Sequence, residues 1–140
     1  MRRRGVTLVE VLVALAIISV IALVAVPAWQ RHVRRVNRAE AIVALHGLLA
    51  AQERSHLANG RYAVNLTAPP PAGLGLTGFT ENHRYALAVS VAEDGQSFIA
   101  TAKPTLEGGQ AADAECLAFS IDHRGRRAIS GTGDVRSCWR

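Results

Sequence analysis

Residues 5–29 read GVTLVEVLVALAIISVIALVAVPAW, and how this stretch is read decides the fold. From Val11 to Ala28 only Ser19 and Pro27 interrupt the apolar run. Those 18 residues, at about 1.5 Å each in a helix, cover about 27 Å, close to the hydrocarbon core of a bilayer. One carboxylate, Glu10, sits inside the start of the run. An ionisable group at the edge of such a helix is costly and needs a partner. The stretch before it, Met1 to Val9, is too short to fold as a domain. The partner is therefore expected to be water at the lipid surface or a group on another molecule.

A cleaved secretory signal is the competing reading. It would have a shorter apolar stretch ending in a small-x-small cleavage site. Here the run is long and passes directly into an Arg-rich helical pattern, which favours an uncleaved span. Arg2, Arg3 and Arg4 precede it, and Arg31, Arg34, Arg35 and Arg38 follow it closely. The positive-inside rule alone therefore does not set the orientation. Glu10, with a cysteine pair much later in the chain, points to a cytoplasmic N-terminus and a folded part outside. Pro27 removes one backbone hydrogen bond inside the helical pattern, so a kink is expected there and not a stop.

The helix is expected to continue. Ile42, Leu45, Leu48 and Leu49 form a stripe that should pack on a folded domain. Val33, Glu40, Ala44, Gly47 and Ala51 are expected on the opposite side, where small side chains permit another helix to approach. Asn59-Gly60 is a helix stop. A helix over residues 8–58 would be about 76 Å long, more than a domain of the remaining size can cover.

Residues 63–80 read as loop, with Pro69-Pro70-Pro71 and Gly73, Gly75 and Gly78. Alternation then begins: Tyr85, Leu87, Val89 and Val91 on one strand face, a turn at Glu93-Asp94-Gly95-Gln96, then Phe98, Ala100 and Ala102. A third strand is expected over Cys116 to Ile121 and a short fourth over Arg127 to Ser130, joined by a turn at Asp122-His123-Arg124-Gly125. The fold class is α+β: one long kinked N-terminal helix packed on a small antiparallel meander of about four strands. Apolar residues are 49% of the chain, but many lie in the N-terminal block, and aromatics are only 5%. The core is therefore modest and gains from covalent help. Cys116 and Cys138 both fall in the part placed outside the cytoplasm, where a bridge between them would tie the last loop to the sheet, a gain of roughly 3 kcal/mol.

The net charge of +5 is unevenly spread. Residues 59–140 hold eight basic and eight acidic side chains, so the surplus belongs to the N-terminal third. No catalytic residue or metal site is expected. Ser120, Asp122 and His123 alternate across a strand end and do not converge. The five histidines, His32, His46, His56, His83 and His123, lack metal-ligand spacing, and the cysteines form no CxxC pair. The glycines of GLGLTG at 73–78 lie between a proline run and a strand, the wrong context for holding phosphate. No cofactor is expected.

The N-terminal stretch resembles the type IV prepilins and type II secretion pseudopilins: a short basic leader ending in Gly5, then VTLVEVLVALAIISVIALVAVPAW. The resemblance implies that a prepilin peptidase cuts between Gly5 and Val6 and that Val6 becomes the N-methylated first residue. Glu10 then becomes the fifth residue and the assembly carboxylate, and Pro27 the kinking proline. The chain departs from the pattern in having Val6 where the family usually has Phe. Arg38-Ala39-Glu40-Ala41, Ala51-Gln52-Glu53-Arg54, Asn59-Gly60-Arg61-Tyr62-Ala63, and Cys116 with Cys138-Trp139 are similar to PilE-type pilins, which favours a type IV pilin over a pseudopilin; the short chain is compatible with a minor subunit.

The implied layout is a leader (1–5), a hydrophobic membrane and filament-core helix (6–29), its amphipathic continuation (30–58), and a sheet domain with a disulfide loop (59–140). The implied partners are other pilin subunits, the peptidase, an inner-membrane assembly platform, and the membrane before assembly. The implied location is the inner membrane, single pass with the domain in the periplasm, and then an extracellular pilus serving adhesion, twitching motility or DNA uptake. DNA capture is the second functional reading. Arg124, Arg126, Arg127, Arg136 and Arg140 stand against only Asp134 in the last 17 residues, and arginine pairs well with phosphate. Trp139 is expected to stack on a base. The alternative, favoured by the zero net charge of residues 59–140, is that Glu107, Asp113, Glu115 and Asp122 balance these arginines.

Cleavage would give Val6 a cationic amine able to pair with Glu10 in a low-dielectric helix bundle. Glu10→Ala is expected to leave the protein membrane-inserted and cleaved but at least tenfold depleted from filaments. Quantitative immunoblotting of sheared filaments against the membrane fraction checks this, and wild-type incorporation would refute it.

Overall fold

The computed structural model describes residues 7–140; the Gly5–Val6 bond expected to be cut lies outside them. The elements are α1 (Leu8–Asn59), β1 (Tyr85–Val91), β2 (Phe98–Pro104), a 3₁₀ turn (Gln110–Ala112), β3 (Phe119–Asp122), β4 (Arg127–Ile129) and α2 (Val135–Cys138). They fall into two compact units divided between Val33 and Arg34.

Among the described residues the first unit is helix from Leu8 onward. The Thr7 hydroxyl accepts the Glu10 backbone N–H at 3.3 Å and caps the start of α1. The run after it is rich in Val, Ala, Leu and Ile and has one hydroxyl, that of Ser19, which donates to the Leu15 carbonyl at 2.8 Å. The helix passes through Pro27 without interruption. Every residue from Leu8 to Trp29 is exposed, and the helix is long and apolar enough to cross a membrane.

In the second unit α1 buries Ala41, Leu45, Leu48 and Gln52, at helical spacings of four, three and four. The sheet is an antiparallel meander in the order β1-β2-β3-β4. Its register lines up Val89 with Ala100 and Ile121, and Leu87 with Ala102 and Phe119. These positions share one side of the pleat. Ala100, Ala102, Phe119 and Ile121 are buried in one cluster with the α1 stripe, Tyr85 and Phe98. At the end of α1, Gly60 takes φ +69° and its N–H reaches the His56 carbonyl at 2.8 Å.

Two expectations need correction. Ala51 does not lie on a free face; it is buried. Near its C-terminal end α1 borders the 63–74 segment as well as the core, for Ala51 and Arg54 line one cleft with Pro70, Pro71 and Leu74. Cys116 does not begin β3. The chain turns over residues 114–116, closed by the Leu117 N–H on the Asp113 carbonyl at 2.9 Å, Leu117 itself takes φ +53°, and the strand extends only from Phe119. Gly131 lies so close to the Glu115–Cys116 peptide that a Cβ there would overlap it.

Polar clamps fix α1 in this unit. The Arg38 guanidinium, with a side chain only 10% exposed, donates Nε and Nη2 to the Asp113 carboxylate at 2.7 and 2.6 Å and Nη2 to Glu115 at 2.8 Å. One residue earlier, Asn37 Nδ2 donates to Gln110 Oε1 at 3.1 Å, and Gln110 Nε2 donates to the Tyr85 hydroxyl at 2.9 Å. The side chain of Gln52 binds both the N–H and the C=O of Ala63 at 2.8 Å. On the other flank, Glu40 accepts from the Asn82 N–H at 2.9 Å, the Asn82 amide at 3.1 Å and Arg84 Nη1 at 2.8 Å. Burial alone would raise the pKa of Glu40. Bonds from Thr80, Asn82 and Arg84 outweigh it and bring the pKa from 4.5 down to about 2.

Because the folded-state pKa lies below the unfolded one, this stabilisation is complete above about pH 4.5 and disappears as pH falls towards 2. Glu40→Gln is expected to cost about 2–3 kcal/mol at pH 7 and almost nothing near pH 2. Chemical denaturation of both proteins across that range checks it, and a cost that does not change with pH would refute it.

Candidate functional site

The basic residues of the C-terminal part gather around β3, β4 and α2. Asp122 closes β3 and organises the turn after it. Its Oδ1 accepts the N–H groups of Arg124 and Arg126, both at 2.9 Å, and its Oδ2 accepts Arg126 Nε at 2.6 Å. Gly125, at φ +74°, returns its N–H to the Asp122 carbonyl at 2.8 Å; this is the position in the turn where glycine is favoured. Burial would raise the Asp122 pKa, but the bonds from Arg126 and Arg124 outweigh it and hold the carboxyl below its ordinary range. Arg124 and Arg126 are left exposed, Arg126 with 72% of its side chain open.

Arg127 opens β4 and lies over the Trp139 ring, with its guanidinium carbon 5.2 Å from the ring centroid. Trp139 is not available for stacking on a base, contrary to the sequence expectation. It is 7% exposed, its indole N–H donates to the Ala128 carbonyl at 3.2 Å, and its ring meets Phe119 edge-on at 5.7 Å. Its neighbour Cys138 is bonded to Cys116. Asp134 caps α2 by accepting the Ser137 N–H at 3.1 Å. Arg136 on α2 and Arg140 just beyond it are exposed. A buried tryptophan thus joins the Arg127 group to the Arg136 and Arg140 group.

Two of the four acids expected to neutralise these arginines are engaged elsewhere, and one neutralises a single arginine of the group. Asp113 and Glu115 bind Arg38, and Asp122 binds Arg126. Among the described residues, Arg124, Arg127, Arg136 and Arg140 form no salt bridge, so the surface stays cationic although residues 59–140 have no net charge.

The meander also brings a residue to this surface that the sequence reading left out. Antiparallel pairing puts the β1–β2 turn and the β3–β4 turn at the same end of the sheet. Arg61 is exposed and packs against Gly95 of the first turn, and the Tyr62 N–H reaches the Gly95 carbonyl at 2.9 Å. A shallow cleft between the two turns is lined by Ser90, Ser97, Ile99, Asp122, His123 and Arg126. In the sequence Arg61 stood out only as part of the PilE-like stretch just after the helix stop, with no sign of its place beside the basic turn. Among the described residues no group of His, Cys, Asp and Glu is placed to hold a metal ion.

In the first unit, Glu10 is exposed and its carboxylate makes no hydrogen bond or ion pair among the described residues. Pro27 lies in the same exposed helix.

Residues 27–120 match a family described as type IV minor pilin ComP, DNA uptake sequence receptor, and residues 1–26 match the prokaryotic N-terminal methylation motif. Two relatives from Neisseria gonorrhoeae, both described as type IV major pilin protein PilE1, are 33% identical over 76 residues, which is 51% of this chain. The match spans 46% and 42% of those proteins, a little under half their length. A type IV pilin structure from Shewanella oneidensis shares the fold, with a TM-score of 0.50 at 22% identity, covering 69% of this chain and 92% of that one.

Proposed function

The chain belongs to the type IV minor pilin ComP family, and from that premise we propose that it is a pilus subunit that presents a cationic surface to duplex DNA during uptake. The observation that carries this reading is the set of four exposed arginines, Arg124, Arg127, Arg136 and Arg140, left without an acidic partner on β4, α2 and the turn before β4. Arginine binds phosphate through a planar fork of donors, and neutralising a phosphate releases its condensed counterion. The Asp122 cage fixes the backbone of the turn, and Trp139 supports Arg127 from beneath, so Arg127 loses little freedom on binding. Arg61 extends the surface across the neighbouring turn.

The same reading gives the N-terminal part its role. Prepilin peptidase cuts between Gly5 and Val6, Val6 is methylated, and the span holds the chain in the inner membrane with its N-terminus in the cytoplasm and the sheet domain in the periplasm. The leader carries away Arg2, Arg3 and Arg4, which would otherwise resist leaving the cytoplasmic surface. The assembly platform then moves the apolar helix into the filament, where Glu10 meets the amine of Val6. The methylation motif over residues 1–26 and a Glu10 carboxylate without a partner among the described residues support this sequence of events.

An Arg124→Ala/Arg127→Ala double variant is expected to weaken duplex binding about tenfold or more at low salt. It should also reduce the slope of log K against log salt by about 2, one for each lost phosphate contact. Fluorescence anisotropy with a labelled duplex across a salt series checks this. Unchanged affinity and slope, with thermal unfolding intact, would refute the assignment.

A further inference from the structure

The segment after β2 carries its side chains the wrong way round for water. Residues 106–114 read LEGGQAADA. Gln110 and Asp113 are buried, whereas Leu106, Ala111, Ala112 and Ala114 are exposed, Leu106 to 92%. Glu107 is the one charged residue of the segment left outside. Hydrogen bonds hold the segment at both ends. The Thr105 N–H donates to the Arg84 carbonyl at 2.9 Å, and its hydroxyl donates to the His83 carbonyl at 2.7 Å and accepts the Gly108 N–H at 3.1 Å. At the other end Gln110 Nε2 donates to the Arg34 carbonyl at 3.4 Å, and Asp113 holds Arg38. Single exposed apolar residues are ordinary. Four on one short, fixed segment whose polar side chains turn inward make a surface suited to a less aqueous neighbour.

The place of the segment identifies that neighbour. Pro104, the end of β2, pairs with Tyr85, the start of β1, so the chain leaves the sheet at the end opposite the β1–β2 and β3–β4 turns. The bonds to Arg34, Asn37 and Arg38 fasten the segment to the first residues of α1 in the second unit. Arg34 follows Trp29, the last residue of the apolar stretch, by five helical residues. That is a rise of about 7.5 Å, comparable to the polar headgroup layer of a bilayer. The tether is covalent and holds whatever the angle between the two units. Arg34 is half-buried and Arg35 exposed, and neither forms a salt bridge among the described residues. Lipid phosphate supplies the charge that they lack.

We propose that the 106–114 segment, together with Arg34 and Arg35, rests on the phospholipid headgroups of the membrane while the subunit is held there by its span. Leu106 enters the boundary between headgroups and acyl chains, Ala111 and Ala112 lie against it, and the two guanidinium groups take phosphate oxygens. The inference rests on the reading of residues 8–29 as a membrane span. The contact leaves the β3–β4 turn and its arginines at the far end of the sheet, and it is given up when the subunit is drawn into a filament.

The test uses the full chain reconstituted in vesicles of phosphatidylethanolamine and phosphatidylglycerol. Cys116 and Cys138 are bonded to each other, so Leu106→Cys adds the single thiol that a bimane label can take. A lipid with a nitroxide on its headgroup should quench that label about threefold or more beyond a label at Glu93→Cys, an exposed position in the β1–β2 turn. Adding Arg34→Gln/Arg35→Gln, or replacing phosphatidylglycerol with phosphatidylcholine, should lower the quenching at Leu106→Cys about twofold or more. No loss in either case overturns the role given to the two arginines. Equal quenching at the two labelled positions overturns the proposal. So does a blue shift at Leu106→Cys that grows with the protein-to-lipid ratio without headgroup quenching, which marks contact with a second copy of the chain. A label at Leu15→Cys, read with a nitroxide on the acyl chain, reports the span separately. Quenching there but not at Leu106→Cys overturns the headgroup contact and leaves the membrane reading intact; quenching at neither overturns both.

Discussion

The second unit depends on one buried charge. Arg38 is taken almost wholly out of water, and the cost is offset only because Asp113 and Glu115 meet its guanidinium at 2.6–2.8 Å. The Asp113 hydrogen bond leads in raising the arginine's pKa above its ordinary value, against the opposing effect of burial. Removing one partner of such a pair leaves the other stranded and costs about 3–5 kcal/mol. The consequences run along the chain. Arg38 holds the 110–115 segment, Cys116 follows directly, and its bond to Cys138 places Trp139, which in turn lies beneath Arg127. A residue on α1 thus sets the position of the cationic surface through contiguous contacts. The disulfide closes a loop with a sequence separation of 22, worth roughly 3 kcal/mol in the chain-entropy model, which suits a unit with so few aromatic side chains.

Much of the fold was legible because periodicity is a direct consequence of backbone geometry. Tyr85, Phe98, Ala100, Phe119 and Ile121 fall on the buried side because side chains alternate along a strand. Helical spacing likewise singled out Leu45 and Leu48. The features that were missed depend on tertiary context. Gln52 reads as a surface residue, but it is fully buried because it pairs with both backbone groups of Ala63. Trp139 reads as an exposed aromatic near the end of a basic stretch. Four-residue α2 and the bridge at Cys138 turn it inward. A turn over residues 114–116, closed by the Leu117 N–H on the Asp113 carbonyl, replaces the start of the expected strand, and Cys116 instead receives the close approach of Gly131 and the disulfide. The charge balance was right in total and misleading in detail, since a sum over residues does not say that Asp113 and Glu115 serve Arg38.

The subunit is incomplete by itself. From Leu8 to Trp29 the helix exposes apolar side chains on all sides, which is stable only in lipid or among other helices. Membership of a pilin family supplies the second environment, in which neighbouring helices replace the bilayer. In the proposed processing, Glu10 distinguishes the two: lipid offers its carboxylate no partner, while a bundle of cleaved subunits would offer a cationic amine at the same end of the helix.

The central claim is that the apolar helix enters the filament only after the leader has been removed. The most direct measurement is the mass of the N-terminal peptide of this chain recovered from sheared surface filaments. The account requires a peptide that begins at N-methylated Val6. A filament-borne chain still carrying Met1 to Gly5, or one cut near Ala28, would contradict it.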